Sequence, residues 1–73
     1  MKNSVLVLGY KGNMGREAVR AIEQHPDLNY VGGYHHGDDL NTLIQTLKPT
    51  IGLDLTGPDA VFSHANTLIE AGI

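Results

Sequence analysis

The stretch VLVLGYKGNMGREAVRAI, residues 5–22, decides the fold class of this 73-residue chain. Four apolar residues, Val5–Leu8, run without a polar interruption and stop at a glycine, which is typical of a strand buried on both faces of a parallel sheet. From Asn13 the apolar residues recur at helical spacing, and Pro26 ends that pattern. The predicted apolar face of this helix contains Met14, Ala18, Ala21 and Ile22. The stretch therefore predicts a strand joined to a helix by a tight glycine-rich turn.

Two further strand and helix pairs follow along the chain. The predicted elements are a strand at residues 29–34, a helix that follows Asp38 and Asp39 and ends before Pro49, a strand at residues 51–55, and a helix from Pro58 to Gly72 with Thr56 or Gly57 as its cap. Two glycines inside the second strand predict that another backbone comes close there. The βαβαβα order predicts a parallel sheet with right-handed crossovers, which is the first half of a doubly wound α/β fold.

Composition limits the classes of protein to consider. Five basic and eight acidic side chains give a formal net charge of -3, which argues against non-specific binding to nucleic acid or an anionic membrane. No apolar run reaches the roughly 20 residues needed to cross a bilayer. There is no cysteine, which excludes a disulfide framework and fits a reducing compartment. We therefore expect one small cytoplasmic domain with no nucleic-acid or membrane partner and no metal site.

The glycine-rich turn is the strongest functional signal. Gly9 allows a sharp turn, Gly12 allows backbone to approach a pyrophosphate, and Gly15 allows the first helical turn to lie close to the sheet. Such a turn aims the unpaired N–H groups of the helix at a phosphate. The GK[ST] ending of a nucleotide-hydrolysing loop is missing, which disfavours triphosphate hydrolysis. Lys11 is either a solvated loop residue or a second positive charge near the phosphates, and the glycines alone are also compatible with a purely structural connection.

Two segments carry a family resemblance. GYKGNMGREAVRAI at residues 9–22 and GLDLTGPDAVFSHANTLIEAGI at residues 52–73 resemble the cofactor domain of the 4-hydroxy-tetrahydrodipicolinate reductase (dihydrodipicolinate reductase) family of bacterial lysine and diaminopimelate synthesis. That family typically shows GAxGRMGR in the first segment and DFTxPDAV in the second. The resemblance covers almost the whole chain. It implies a Rossmann-type domain that binds NADH or NADPH, and hydride transfer to a cyclic imine held by a second domain, usually in a tetramer.

The resemblance also implies which residues contact the cofactor. The matching positions are Gly9, Tyr10, Lys11, Gly12, Asn13 and Met14 in the phosphate-binding loop, with Gly15 behind them, and Asp54, Leu55 and Thr56 in the segment at the end of the third strand, from which Thr56 is taken as a candidate. Leu55 stands where the family has Phe. Asn13 stands where the family has Arg, and this removes a charge that could help to hold the diphosphate.

The residues expected to contact the adenosine ribose do not decide between NADH and NADPH. Dinucleotide folds place an acidic residue about 20 positions beyond the glycine turn to bind a 2′-hydroxyl, or a basic one to accept a 2′-phosphate. Here His35 or His36 could donate to a 2′-phosphate, whereas Asp38 could reach a 2′-hydroxyl. Alternatively, the histidines are exposed loop residues and Asp39 only caps a helix. The cofactor is therefore predicted to be NADH or NADPH.

No catalytic residue is assigned within these residues. The family's catalytic histidines, its lysine, its DAPSGT-like segment and its GTTG-like loop have no match in the chain. We therefore expect residues 1–73 to be the N-terminal portion of a dinucleotide-binding domain, inactive alone, with the remainder and the substrate domain outside this chain. Asp54 is expected to be a hydrogen-bonded residue near the upper edge of the sheet, and His64 a residue on a helix face.

Two other classes of protein remain open from the sequence. One is a non-enzymatic module that holds a dinucleotide without hydride chemistry. The other is a structural fragment that pairs with another chain. In that fragment the first strand would be an open sheet edge, which predicts oligomerisation or poor solubility.

Overall fold

Three parallel strands and three helices alternate along the chain. The structure is a computed structural model that describes the backbone of residues 2–73 and the side chains outside residues 58–62. The elements are β1 (Asn3–Leu8), α1 (Asn13–Gln24), β2 (Leu28–Tyr34), α2 (Leu40–Leu47), β3 (Ile51–Asp54) and α3 (Pro58–Glu70). The predicted βαβαβα order and the parallel, Rossmann-like α/β sheet are confirmed.

The sheet has the strand order β2-β1-β3, so β1 is its central strand. On one side β1 pairs with β2, and on the other Val5–Leu8 pair with Ile51–Asp54 in continuous register. The prediction that the first strand would be an open edge is wrong. The chain crosses over β1 between β2 and β3, and β3 therefore occupies the edge that the prediction left free. In the described residues the outer edges belong to β2 and β3.

The core lies on both faces of β1. Val5, Leu6, Val7 and Leu8 are 0–3% exposed. One face of β1 packs with α2 and α3 in a cluster formed by Leu6, Leu8, Leu40, Ile44 and Leu68. The other face packs with α1 in a cluster formed by Val5, Val7 and Ile22. Because each fully buried aliphatic side chain contributes about 1.5–3 kcal/mol, the two-sided burial of β1 accounts for much of the stabilisation of this small chain.

The buried stripe of α1 agrees only in part with the predicted one, since Ile22 is buried and Ala18 is half-buried as expected. Met14 is 71% exposed and Ala21 is exposed, whereas Gly15 and Ile22 are buried and Val19 packs beside them. These three residues have the spacing i, i+4, i+7 of a single helix face. The apolar residues alone favoured a face that includes Met14 and Ala21, because a glycine adds nothing to an apolar pattern. The absence of a side chain at residue 15 places that face of the helix closest to the sheet.

Gly32 and Gly33 in β2 are approached by side chains and not by another backbone, which corrects the prediction. A Cβ at Gly32 would lie 2.6 Å from Cδ1 of Leu47, and one at Gly33 would lie 2.5 Å from Cγ of Tyr10. The two glycines face opposite sides of the sheet, as successive strand residues do. They make room for α2 on one side and for the glycine-rich turn on the other.

The helix ends follow the predicted signals. The Asp39 carboxylate caps α2 by accepting a hydrogen bond from the Thr42 N–H at 3.3 Å. Gly57 precedes Pro58 at the start of α3, and Gly72 follows its end with a φ of 84°. Over residues 2–73, none of the helices has the length and apolar character required to cross a membrane.

We predict that Gly15→Ala destabilises the fold although alanine favours helix. The new Cβ would lie 2.7 Å from the Tyr10 Cα and 2.8 Å from the Gly9 carbonyl carbon, both of them backbone atoms with little freedom to move. Overpacking costs about 1–3 kcal/mol, and we expect a value near the upper end of this range against backbone atoms, so that about 2 kcal/mol of destabilisation remains after a helix-propensity gain of about 1 kcal/mol. The measurement is the free energy of unfolding in urea.

Gly12→Ala is the matched control for this prediction. A Cβ at Gly12 would have its nearest neighbour, the Gly9 carbonyl oxygen, at 3.7 Å, an ordinary contact. The loss of a glycine N-cap costs less than about 1 kcal/mol. Equal stability of the two variants would show that the first turn of α1 does not depend on the missing side chain at residue 15.

Candidate functional site

The candidate site is a crevice at the carboxyl ends of β1 and β3. These strands are neighbours, and the helices that follow them pack on opposite faces of the sheet, α1 on one and α3 on the other. The turns at residues 9–12 and 55–57 therefore leave the sheet in opposite directions. Open α/β sheets bind ligands at such a topological switch point. The Leu55 N–H donates to the Leu8 carbonyl at 2.8 Å and holds the two turns side by side.

The glycine-rich turn is closely packed at two of its glycines and open at the third. Gly9 has a φ of 88°, and a Cβ there would lie 3.0 Å from the Leu55 carbonyl carbon and oxygen. Gly15 is buried against the Gly9 main chain. Gly12 is exposed and has room around its Cα. The turn thus leaves bare backbone at Gly12 facing outward.

The N-terminus of α1 offers uncompensated positive charge at this turn. Gly12 is the N-cap, no side chain caps the helix, and its first turn contains no acidic residue. The first N–H groups of a helix have no intrahelical partners, and the helix dipole adds a partial positive charge there. Asn13 and Met14 in this first turn are exposed. The arrangement fits an anion such as a diphosphate.

Tyr10 and Lys11 form one wall of the turn. Tyr10 is half-buried, and its ring lies over Gly33 and packs against the Val5–Val7–Ile22 cluster. The Lys11 ammonium lies 5.8 Å from the centre of the Tyr10 ring, within the range of a cation–π contact. This contact keeps a positive charge beside the turn, although Lys11 is itself exposed.

His35 and Asp38 form a hydrogen-bonded pair just after β2. The His35 Nδ1 lies 2.7 Å from the Asp38 Oδ2, and the His35 N–H donates to the same oxygen at 3.1 Å. The hydrogen bond from the His35 side chain, then the one from its backbone, holds the pKa of Asp38 below its ordinary value, and Lys11 contributes in the same direction. His35 also contacts the edge of the Tyr10 ring, with centroids 6.1 Å apart. The structure therefore brings His35, Asp38, Lys11 and Tyr10 together, while His36 is exposed.

A second polar cluster lies behind the turn that follows β3. The Asp54 Oδ1 accepts from the Thr56 N–H at 2.9 Å and from its hydroxyl at 2.5 Å. His64 of α3 places Nδ1 3.1 Å from the Asp54 Oδ2 and 3.2 Å from the Thr56 hydroxyl oxygen. The prediction that Asp54 is hydrogen-bonded is confirmed. His64 lies on α3, but its bond to Asp54 gave no signal in the sequence.

Two surface grooves have other linings, and the second of them shares Tyr10 with the glycine-rich turn. One is at the opposite end of the sheet and is lined by Lys2, His25 and Asn29 among others. The other runs along α1 between Tyr10, Arg16 and Arg20. Neither is lined by Gly12 or Thr56, so the crevice at the switch point remains the candidate site.

Comparisons with known proteins agree on one family. Residues 3–73 match the family model described as dihydrodipicolinate reductase, N-terminus. The 4-hydroxy-tetrahydrodipicolinate reductase of Corynebacterium urealyticum is 40% identical over 67 residues, 92% of this chain and 27% of that protein. The enzyme of the same name from Coxiella burnetii (strain Dugway 5J108-111) is 36% identical over 72 residues, 99% of this chain and 30% of that protein.

A solved structure gives the same result for the fold. Dipicolinate-bound dihydrodipicolinate reductase from Paenisporosarcina sp. TG-14 superposes with a TM-score of 0.85 at 25% identity, over 100% of this chain and 36% of that one. The chain thus spans less than a third of the length of the two curated relatives above.

We predict that the Asp38 carboxyl titrates below 3.8, its ordinary pKa, and that His35→Ala raises the midpoint towards that value. The variant removes the imidazole donor and keeps the backbone N–H. Because the pKa is lowered in the folded chain, the pair stabilises the fold above pH 3.8, and this contribution is lost as the pH falls through the lowered pKa. The measurement is an NMR titration of the carboxyl carbon. His36→Ala, an exposed neighbour, is the control, and a midpoint unchanged in His35→Ala would contradict the prediction.

Proposed function

The chain belongs to the dihydrodipicolinate reductase family and matches its N-terminal part, and we propose that it binds the diphosphate of NADH or NADPH. In this proposal it is part of a 4-hydroxy-tetrahydrodipicolinate reductase. The bound nicotinamide would supply the hydride that reduces a cyclic imine in lysine and diaminopimelate synthesis. Residues 1–73 would be the N-terminal portion of the dinucleotide-binding domain. The substrate contacts and the proton donor would lie outside these residues.

The observation that carries this proposal is the open backbone at Gly12 on an uncapped helix N-terminus. Gly12 stands at the switch point between β1 and β3, where doubly wound folds bind dinucleotides. The amides of the first turn of α1 would donate to the diphosphate oxygens. Lys11 would add a positive charge, and Asn13 would add a neutral donor. Gly9 and Gly15 would act indirectly by keeping the turn tight against the sheet.

The adenosine ribose would lie over Tyr10, beside His35 and Asp38. A free 2′-hydroxyl could donate to Asp38, whereas a 2′-phosphate would meet Lys11, His35 and His36 as donors and Asp38 as a repelling charge. The site thus combines features for both cofactors, and we propose that it accepts both. A cytoplasmic location and a homo-oligomer, a tetramer in the family, complete the proposal.

We predict that Gly12→Ala weakens the binding of NADH and NADPH by at least about tenfold, because a Cβ would occupy the place where a phosphate meets the backbone. The fold should remain, since among the described residues the nearest neighbour of the new Cβ is the Gly9 carbonyl oxygen at 3.7 Å. The measurement is fluorescence titration of reduced cofactor with the protein at its full natural length. Asn41→Ala, exposed on α2, is the control.

Two results would overturn the proposed function. One is a folded wild-type protein that binds neither cofactor. The other is cofactor binding without consumption of either cofactor when 4-hydroxy-tetrahydrodipicolinate is added, which would instead favour a non-enzymatic dinucleotide-binding module. Loss of the absorbance of the reduced nicotinamide measures that consumption.

We also predict that Asp38→Asn shifts the cofactor preference towards NADPH, because it removes a negative charge from the neighbourhood of the 2′-phosphate. A screened surface charge is worth up to about 1 kcal/mol, so the ratio of the two dissociation constants should change about two- to fivefold. Lys11→Ala should shift the ratio in the opposite direction. Asp27→Asn, exposed in the turn before β2, is the control, and an unchanged ratio in both site variants would show that the ribose lies elsewhere.

A further inference from the structure

His64 makes a contact that the cofactor proposal does not use. It lies on α3, and its side chain and that of Asp54 are 12% and 14% exposed. Its Nδ1 faces both the Asp54 carboxylate and the Thr56 hydroxyl. The Tyr34 ring packs edge-on against the imidazole, with centroids 4.9 Å apart and an interplanar angle of 77°. An imidazole that is enclosed in this way on the protein side has a defined orientation.

The hydrogen-bond pattern determines which imidazole nitrogen carries a proton. The Thr56 hydroxyl has one hydrogen, and it points to the Asp54 Oδ1 at 2.5 Å. The Thr56 oxygen can then only accept from His64, and the Asp54 carboxylate is an acceptor as well. The His64 Nδ1 must therefore be the protonated nitrogen, with its N–H shared between two oxygens.

This N–H joins α3 to the turn that borders the crevice. Asp54 and Thr56 are two residues apart and can form a local turn by themselves. His64 is ten residues from Asp54 and belongs to another element, so its bond fixes that local turn relative to the helix. The same turn carries the Leu55 carbonyl, which lies against Gly9 of the phosphate-binding loop.

We propose that His64 is a positioning residue for the dinucleotide: through Asp54 and Thr56 it holds the turn at residues 55–57 against the glycine-rich turn. The proposal rests on the proposed function, since the positioned turn forms the β3 side of the crevice. Thr56 would then contribute through its backbone and its position, because its hydroxyl is used by Asp54 and His64. The nitrogen that matters is Nδ1 and not Nε2.

Three substitutions separate this role from simple packing. His64→Asn places an amide nitrogen close to the position of Nδ1, His64→Gln places one close to the position of Nε2, and His64→Leu places none. We expect His64→Leu and His64→Gln to weaken NADH binding about three- to tenfold, which is less than the full loss of one hydrogen bond to a charged group because His64 acts on the cofactor only through the turn. We expect His64→Asn to stay within about twofold of the wild type. His25→Asn, at the opposite end of the sheet, controls for the loss of a histidine.

Two readouts that do not depend on activity accompany the titration of the full-length protein with NADH. Hydrogen exchange of the Thr56 amide, which donates to Asp54, should be about tenfold faster in His64→Leu and His64→Gln than in the wild type and His64→Asn. The ¹⁵N shifts of the wild-type imidazole should show a protonated Nδ1. If His64→Leu does not fold, the comparison of His64→Asn with His64→Gln still tests the role of Nδ1.

The results distinguish failure of the role of His64 from failure of the proposed function. Any of three results would overturn the role of His64 and leave the proposed function intact. They are NADH binding by His64→Gln that equals that of the wild type, NADH binding that is the same in His64→Asn and His64→Gln, and an unprotonated Nδ1 in the wild type. A folded wild-type protein that binds neither NADH nor NADPH would overturn the proposed function, and this inference with it.

Discussion

The contact between the first turn of α1 and the main chain of the turn before it is the constraint on which this small fold depends. Gly15 lies so close to Gly9 and Tyr10 that no side chain fits between them. This contact determines where α1 begins and which of its faces meets the sheet. Val19, which is half-buried, and Ile22, which is buried, follow from it as the residues that pack against the sheet, and Met14 remains outside.

The same contact orients the positive end of α1. With the helix held at Gly15, its first N–H groups stand beside Gly12, at the carboxyl end of the central strand. On the other side of the crevice the turn after β3 touches Gly9 through Leu55. Gly9 thus has neighbours on both sides, the helix that would bind an anion and the turn held by Asp54, Thr56 and His64. A positive φ and two close backbone neighbours leave no alternative to glycine there.

Local signals in the sequence predicted the elements, and non-local packing decided what those signals missed. The apolar run Val5–Leu8 and the cap at Asp39 act over a few residues, so the pattern alone revealed them. The position of β1 at the centre depends on a pairing with β3, about which the order of elements says nothing. The face of α1 was predicted only in part, at Ile22 and Ala18, because a glycine carries no hydrophobic signal although its small size decides the packing.

In the candidate site, too, the sequence predicted the local features and missed the contacts between elements. The glycine spacing predicted the tight turn between β1 and α1 because each glycine acts on its own neighbourhood. His35 and Asp38 were recognised as separate candidates, but their mutual hydrogen bond depends on how the chain turns after β2. His64 was expected on a helix face, where it lies, but its hydrogen bonds were missed because its partners lie ten and eight residues away on a different element. No spacing rule connects a helix residue to the strand that precedes it.

The central position of β1 also affects how the chain folds as it is synthesised. β1 is synthesised before β2 and β3, and one of its edges stays unpaired until β3 arrives, with the Thr50 N–H bonding to the Ser4 carbonyl across 46 residues. Contacts of such large sequence separation form slowly, because the entropy of closing the loop is lost before the pairing stabilises it. The most buried strand of the protein is therefore the one that stays exposed longest during synthesis. The nascent chain would depend on α1 and β2 to shield Val5 and Val7 until the sheet is complete.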